Sequence, residues 1–266
     1  MVLTFTKMHG CGNDYIYFNC LNEQLENPEE IAKKLSHRHF SVGGDGIVMI
    51  CSSNVADAKM RMFNSDGSEG KMCGNGIRCV GKYVAEKGYT DKTTLQIETL
   101  SGIKTLYLTK NAGTVESVSV SMGKAKPADA RSFIWNGEIF LLHPIDMGNP
   151  HAVIFVQDAE KIDIQTVGEA VQSLFPGGVN VEFVNKTADN RLRMRVWERG
   201  SGMTLACGTG ACAAAAAAVN EGLCTREQCV SIDLDGGTLQ VQVLKENEII
   251  MTGPAAFVYE GETHIC

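Results

Sequence analysis

Apolar and polar residues alternate along LQIETLSGIKTLYL, residues 95–108, and along VSIDLDGGTLQVQV, residues 230–243, the period-two pattern of half-buried strands, each turned at a glycine. Shorter apolar runs predict strands over Tyr15–Phe18, Ile47–Ile50, Ala152–Val156 and Val181–Val184, and MRMF (60–63) and MRVW (194–197) predict two more. Helical periodicity marks amphipathic segments at about 28–38 and about 161–174. Two further helices open at CGNG (73–76) and CGTG (207–210) and end before Gly88 and Gly222, where a left-handed C-cap residue belongs. The second of these is alanine from Ala213 to Ala218. A helix apolar on every side is normally buried, so a central position is expected for it.

The two Cys-Gly-x-Gly segments belong to an internal repeat. Cys73 and Cys207 lie 207 − 73 = 134 residues apart. The same offset sets Gly43-Gly44 on Gly177-Gly178, Met60-Arg61 on Met194-Arg195, Phe63 on Trp197, Gly88 on Gly222 and Gly102 on Gly236. Gly12-Asn13 pairs with Gly148-Asn149 at an offset of 136. The expected fold is therefore α/β (α+β): two pseudo-symmetric domains, each a mixed, mostly antiparallel sheet curled around a central helix, with the active site in the cleft between them. The polar, proline-containing stretch at Val118–Lys126 sets the expected boundary, giving domains 1–119 and 120–266, with the last few residues able to return to the first.

Composition narrows the function. A chain of 266 residues with 44% hydrophobic content can fill a sizeable core. Its net charge of −7 includes no basic block, which argues against a nucleic-acid partner and for a small-molecule one. The longest apolar run, Leu205–Val219, is interrupted by glycines and falls short of the roughly 20 residues that span a bilayer, so no membrane partner is expected. MVLTFTKMHG has no signal-peptide pattern, and a cytoplasmic location follows as the expectation. Of the ten cysteines, Cys20, Cys51, Cys79, Cys212, Cys224 and Cys229 stand in apolar surroundings and read as small hydrophobes. No spacing matches the C-x2-C pairs of zinc sites, and His37-x-His39 has no further ligand nearby, so no metal is expected.

A cysteine at a helix start meets unsatisfied backbone N–H groups and the positive end of the helix dipole, which lower a thiol pKa from about 8.5 toward a thiolate. Glycines there let an anion approach the N–H groups, which gives a use to residues that cost a helix about 1 kcal/mol each. A single copy reads equally well as a buried thiol beside a tight turn; two copies in one register weigh against that. Facing domains would bring Cys73 and Cys207 to opposite sides of one cleft. One thiolate would then remove a Cα proton from a bound amino acid while the opposing thiol supplied one to the other face. Such an inversion needs no cofactor.

Seven ordered segments, KMHGCGNDYI, RHFSVGGDGIV, FNSDGSEGKMCGNGIRC, MGNPHAV, GVNVEFV, WERGSGMTLACGTGACAAA and GPAAFVYEGE, cover essentially the whole chain and resemble the diaminopimelate epimerase family. The resemblance implies a cofactor-independent, PLP-independent isomerase that interconverts LL- and meso-2,6-diaminopimelate in lysine and peptidoglycan precursor biosynthesis, in a form that allows a homodimer. It implies Cys73 and Cys207 as the base and acid pair, with His151 and Glu198 as supporting acid–base residues. Gly74, Asn75, Gly208 and Thr209 would bind the reacting carboxylate through their backbones. Asn13, Asn64, Asn149, Asn180, Glu198 and Arg199 would hold the two amino-acid ends, Arg199 taking the distal carboxylate. Related proline racemases typically carry Met-Cys-Gly-His-Gly at the first site, whereas position 75 here is asparagine. Some family members also have glutamine where this chain has Gly46, which removes one side-chain contact from the expected site. The competing readings are a racemase for another amino acid, such as proline or hydroxyproline, and a redox protein switching through Cys73 and Cys207.

Overall fold

The structure, a computed structural model, describes residues 2–264. From the N-terminus the elements are β1 (Val2–Gly10), β2 (Asn13–Cys20), α1 (Pro28–Leu35), β3 (Gly46–Cys51), β4 (Ala58–Asn64), β5 (Glu69–Gly70), α2 (Gly74–Glu86), β6 (Thr94–Thr99), β7 (Gly102–Asn111) and β8 (Thr114–Lys124). They continue with β9 (Lys126–Pro127), β10 (Arg131–Trp135), β11 (Glu138–Asp146), β12 (Pro150–Phe155), α3 (Ile164–Ser173), β13 (Asn180–Ala188), β14 (Arg191–Glu198), β15 (Gly202–Thr204) and α4 (Gly208–Asn220). The last are β16 (Cys229–Leu234), β17 (Gly237–Val243), β18 (Glu248–Gly253) and β19 (Ala256–His264). The chain divides into two compact units: the described residues up to Val120 with those from Gly253 onward, and Ser121–Thr252.

Each unit has the same topology. In the first, the strands lie in the order β19, β1, β2, β3, β4, β6, β7, β8, antiparallel throughout except for β2/β3 and β4/β6. In the second, the order is β10, β11, β12, β13, β14, β16, β17, β18, again antiparallel except for β12/β13 and β14/β16. Each parallel pair is joined through a helix, as a parallel connection requires: α1 and α2 in one unit, α3 and α4 in the other. The edge place that β10 fills in the second unit is filled in the first by β19, so the C-terminal segment from Gly253 belongs with the N-terminal unit.

The two helices of a unit occupy different faces of its sheet. Ile31, Ala32 and Leu35 of α1 close over Ile16, Phe18, Ile47, Met49 and Phe63. Ile164, Val167 and Val171 of α3 close over Leu142, Ile154, Val181 and Phe183 in the same way. Burying each such side chain contributes about 1.5–3 kcal/mol. α2 is buried from Gly74 to Val84, and Ala211–Ala218 of α4 are all at most 1% exposed. Small side chains on α4 let the strands around it come close at interior packing density.

Several boundaries differ from the sequence reading. α1 stops at Leu35 rather than near residue 38 because the N–H groups of Gly43 and Gly44 take the carbonyls of Leu35 and Ser36, at 2.8 and 3.1 Å. The second amphipathic helix begins at Ile164, since the Asp163 carboxylate accepts from the Thr166 N–H at 3.2 Å and caps it, leaving residues 159–161 as a separate turn. The counterpart of Gly102 is Gly237 rather than Gly236: Thr99 faces Gly102 and Leu234 faces Gly237, one residue having been gained before β16. Cys229 is exposed and Cys51 half-buried, so neither is a fully enclosed hydrophobe.

Gly46 is fixed by sterics. A Cβ at this position would stand 2.0 Å from the carbonyl oxygen of Phe63 on β4. The side chain missing here relative to some family members is therefore excluded by this backbone. Gly46→Ala is expected to lower unfolding free energy by at least ~2 kcal/mol, the scale of overpacking in a filled interior, measured by urea denaturation; an unchanged midpoint would refute the clash.

Candidate active site

α2 and α4 begin in the same way. Cys73 is the N-cap of α2 and its Sγ accepts the Gly76 N–H at 3.3 Å; Cys207 is the N-cap of α4 and its Sγ accepts the Gly210 N–H at 3.3 Å. Both residues have extended backbones, with φ, ψ of −128°, 120° and −114°, 110°. Sulfur thus occupies the place that a serine or aspartate oxygen takes in an ordinary cap. The helices end alike too, with Gly88 at φ 77° and Gly222 at φ 71° after bonds from Tyr89 to Val84 and from Leu223 to Ala218.

In the first unit, the tight turn between β1 and β2 delivers Asn13 to Cys73. The Cys73 thiol donates to Asn13 Oδ1 at 3.2 Å, and Asn13 Nδ2 donates to Asp45 at 2.6 Å. Asp45 is held in turn by the Asp14 N–H and by Arg38, at 3.1 and 2.8 Å. Asn64, at the end of β4, pairs with Gly46 across the ladder and donates to Ser68 Oγ at 3.0 Å. Asn75 is buried, and its Oδ1 accepts from Arg78 at 3.0 Å.

Two residues of this unit escaped the sequence reading. Tyr15, buried on β2, hydrogen-bonds with Cys73 and Asn13; burial, then the charges of Cys73 and Asp45, hold its hydroxyl well above the usual phenol range. Arg78 is fully buried, and its guanidinium binds the carbonyls of Gly74 (3.1 Å) and Pro254 (3.2 Å) with no carboxylate partner among the described residues. Because helical side chains lean toward the N-terminus, that charge lies along the first turn of α2. The only sequence signal for either was position: Tyr15 two residues after Asn13, Arg78 on the helix that Cys73 opens.

The second unit surrounds its cysteine with carboxylates. Glu198, at the end of β14, hydrogen-bonds with Thr204 and with the Cys207 thiol. His151 Nδ1 and Glu182 Oε1 are 2.6 Å apart and both side chains are inaccessible, while His151 Nε2 meets Asn149 Oδ1 at 3.1 Å. Asn149 Nδ2 reaches the Thr209 hydroxyl at 3.4 Å, and that hydroxyl is 3.6 Å from the Cys207 sulfur. His151 therefore stands one layer behind the thiol, joined to it through Asn149 and Thr209. Glu182, missed in the sequence because it sits within the apolar strand GVNVEFV, lies under the head of α4. Gly210 leaves room for it, since a Cβ there would come within 2.6 Å of Glu182 Oε1.

Asn180 Oδ1 accepts the Arg199 N–H at 2.9 Å, and its Nδ2 donates to the Pro150 carbonyl at 3.4 Å. Arg199 is exposed, donates to the Gly177 carbonyl at 3.0 Å, and has no carboxylate partner among the described residues. Its guanidinium can thus take an anion from solution in a bidentate pair.

The surroundings set the protonation of Cys207. Burial first, then the Glu198 and Glu182 charges, push its thiol well above the ordinary range, against the Thr209 hydroxyl and the Gly210 N–H. Burial also raises the Glu198 carboxyl, with Glu182 adding to it, against bonds from Thr204 and Cys207. In a Cys73→Ser variant, alkylation of Cys207 by iodoacetamide, followed by peptide mass spectrometry, is expected to begin only at pH values above those of an ordinary thiol. Glu198→Gln removes one of the charges that disfavour the thiolate, so the midpoint should move to lower pH; an upward shift or none would contradict this electrostatic account.

The diaminopimelate epimerase family model matches residues 5–127 and 144–258. A diaminopimelate epimerase of Acetivibrio thermocellus is 48% identical over 279 residues, spanning 99% of this chain and 99% of its own, and one of Methanococcus maripaludis is 46% identical over 284 residues, spanning 99% and 100%. Among solved structures, a PhzF-family phenazine biosynthesis protein of Bacillus anthracis superposes with a TM-score of 0.78 at 19% identity, covering 100% of both chains. A hydroxyproline epimerase of Agrobacterium vitis with bound trans-4-hydroxy-L-proline superposes with a TM-score of 0.76 at 14% identity, covering 98% of this chain and 92% of its own. These two share the fold. With near-complete coverage at almost half identity to curated relatives and a family model that matches most of its length, the chain belongs to the diaminopimelate epimerase family.

Proposed function

We propose that this chain is a diaminopimelate epimerase, a cofactor-independent isomerase that inverts one α-carbon of 2,6-diaminopimelate between the LL and meso forms. The observation that carries the reading is the repeated N-cap cysteine, with one backbone N–H donating to each sulfur. Cys73 and Cys207 exchange protons with the same α-carbon, one removing and the other supplying. Backbone donors of Gly74 and Asn75, and of Gly208 and Thr209, hold the reacting carboxylate and stabilise the charge that moves onto it. The diaminopimelate epimerases that are 48% and 46% identical to this chain support placing the enzyme in lysine and peptidoglycan precursor biosynthesis, in the cytoplasm.

Burial and the Glu198 and Glu182 charges favour the Cys207 thiol, which supports Cys207 as the acid and Cys73 as the base in one direction; the reverse reaction exchanges the roles. Tyr15 and Asn13 orient Cys73, and the His151–Glu182 pair orients Asn149 and Thr209 beside Cys207. Asn64, Asn180 and Glu198 help to hold the ammonium and carboxylate groups of the substrate's two amino-acid ends. Arg199 grips the distal carboxylate, which confines inversion to one of two stereocentres.

Cys73→Ala and Cys207→Ala should each lower kcat by ~10²–10⁴-fold, the usual contribution of one positioned acid or base, in a chiral assay for meso product. Proline, lysine and glutamate should not be inverted; turnover of proline without diaminopimelate would overturn the substrate. Arg199→Met should raise KM by ~10–100-fold, matching the loss of about 1.5–3 kcal/mol in a charged hydrogen bond, with a smaller change in kcat. Equal loss in kcat alone would remove Arg199 from substrate binding.

A further inference from the structure

Away from the cysteines that open α2 and α4, β2 and β3 each end on a thiol. The two strands are parallel and their last residues, Cys20 and Cys51, are directly paired. Both side chains turn toward the face that α1 covers. Adjacent strands lie about 4.8 Å apart, inside the Cα range of about 4.4–6.8 Å that a disulfide requires. The two thiols are already hydrogen-bonded to one another.

Both are within reach of solutes. Cys51 is half-buried, and Cys20 lines a groove of about 740 Å³ together with Phe18, Asn22, Leu25 and Glu26. Lys59 is the cross-strand partner of Cys51 on β4, and Arg61 follows on the same face. Lys59 also pairs with Glu98 at 2.9 Å, and Arg61 with Glu69 at 2.7 Å. The hydrogen bond from Cys20, then Arg61 and Lys59, draw the Cys51 thiol below its ordinary pKa, against burial and the Glu98 charge. That same bond, with burial, drives Cys20 upward. One sulfur is thus primed as a nucleophile and its neighbour keeps the proton, the arrangement of an attacking and a resolving thiol.

We propose that Cys20 and Cys51 are a reversible oxidation site that closes to an intramolecular disulfide with a peroxide as oxidant. The Cys51 thiolate attacks one peroxide oxygen, the O–O bond breaks, and hydroxide leaves and is protonated to water. The Cys20 sulfur then attacks the Cys51 sulfenic acid; the S–S bond forms, the S–O bond breaks, and the oxygen leaves as water with the Cys20 proton. In total, two thiols and one hydrogen peroxide give one disulfide and two waters. The site lies at the opposite end of β2 from Asn13, so closure staples two strands of the sheet without engaging Cys73 or Cys207.

The test is oxidation of the full chain with a small excess of hydrogen peroxide, blocking with N-ethylmaleimide, and peptide mapping by mass spectrometry. The expected product is a peptide pair joined through Cys20 and Cys51, released by dithiothreitol, in protein that melts at a higher temperature than the reduced form. Cys20→Ser should leave Cys51 as a sulfenic acid trapped by dimedone, and Cys51→Ser should leave Cys20 as a free thiol. Dimedone adduct on Cys51 with no linked peptide in the unsubstituted chain, or oxidation of Cys73 or Cys207 while Cys20 and Cys51 stay reduced, would overturn the proposal.

Discussion

Everything in this molecule is arranged around a sulfur atom that caps a buried helix. The bond from the third helical N–H to the N-cap sulfur, made by Gly76 to Cys73 and by Gly210 to Cys207, does two things at once. It satisfies a donor that the helix leaves open, and it places the sulfur at the end of the helix where negative charge is favoured. The glycines on either side of that bond, the burial of most of each helix and the alanine run of α4 all follow from bringing such a helix end into the interior of a curled sheet. Topology serves the same end. The two crossovers of each unit hold one helix on each face of the sheet, so the helix that carries the thiol is the one enclosed.

The halves repeat one topology but diverge in charge. At the position where α2 carries the fully buried Arg78, the 134-residue offset places Cys212 on α4. In β3 Val48 occupies the place that Glu182 takes in β13, and Tyr15 on β2 occupies that of His151 on β12. One cysteine therefore has a lone buried guanidinium along its helix, the other two carboxylates and a buried histidine. Duplication supplies a pair of equivalent thiols, and these substitutions give them unlike surroundings.

Much of this was legible in the sequence. The fixed offset between Cys73 and Cys207 reported the duplication, and Gly88 and Gly222 marked both helix ends, because a left-handed residue leaves a local signature. Gly46 was visible as a departure but its cause was not, since the clash involves the Phe63 carbonyl on another strand. Tyr15, Arg78 and Glu182 were hidden for a related reason: each reads as ordinary strand or helix content until tertiary packing removes its water and chooses its partner. Helix ends set by distant caps, as at Leu35 with Gly43, were misjudged for the same reason. The C-terminal strand β19 completes the edge of the first unit, a place the repeat itself forecasts only if one asks what stands where β10 does.

The central claim is that two different thiols handle the two protons of one inversion. Its most direct measurement is the isotopic content of diaminopimelate after a brief reaction of the LL form in deuterium oxide, analysed separately for product and recovered substrate. The account predicts that meso product carries deuterium at the inverted carbon from the first turnover while recovered LL substrate still carries hydrogen. Product that retains the original hydrogen would mean that a single group removes and returns the proton, and would contradict the two-thiol mechanism.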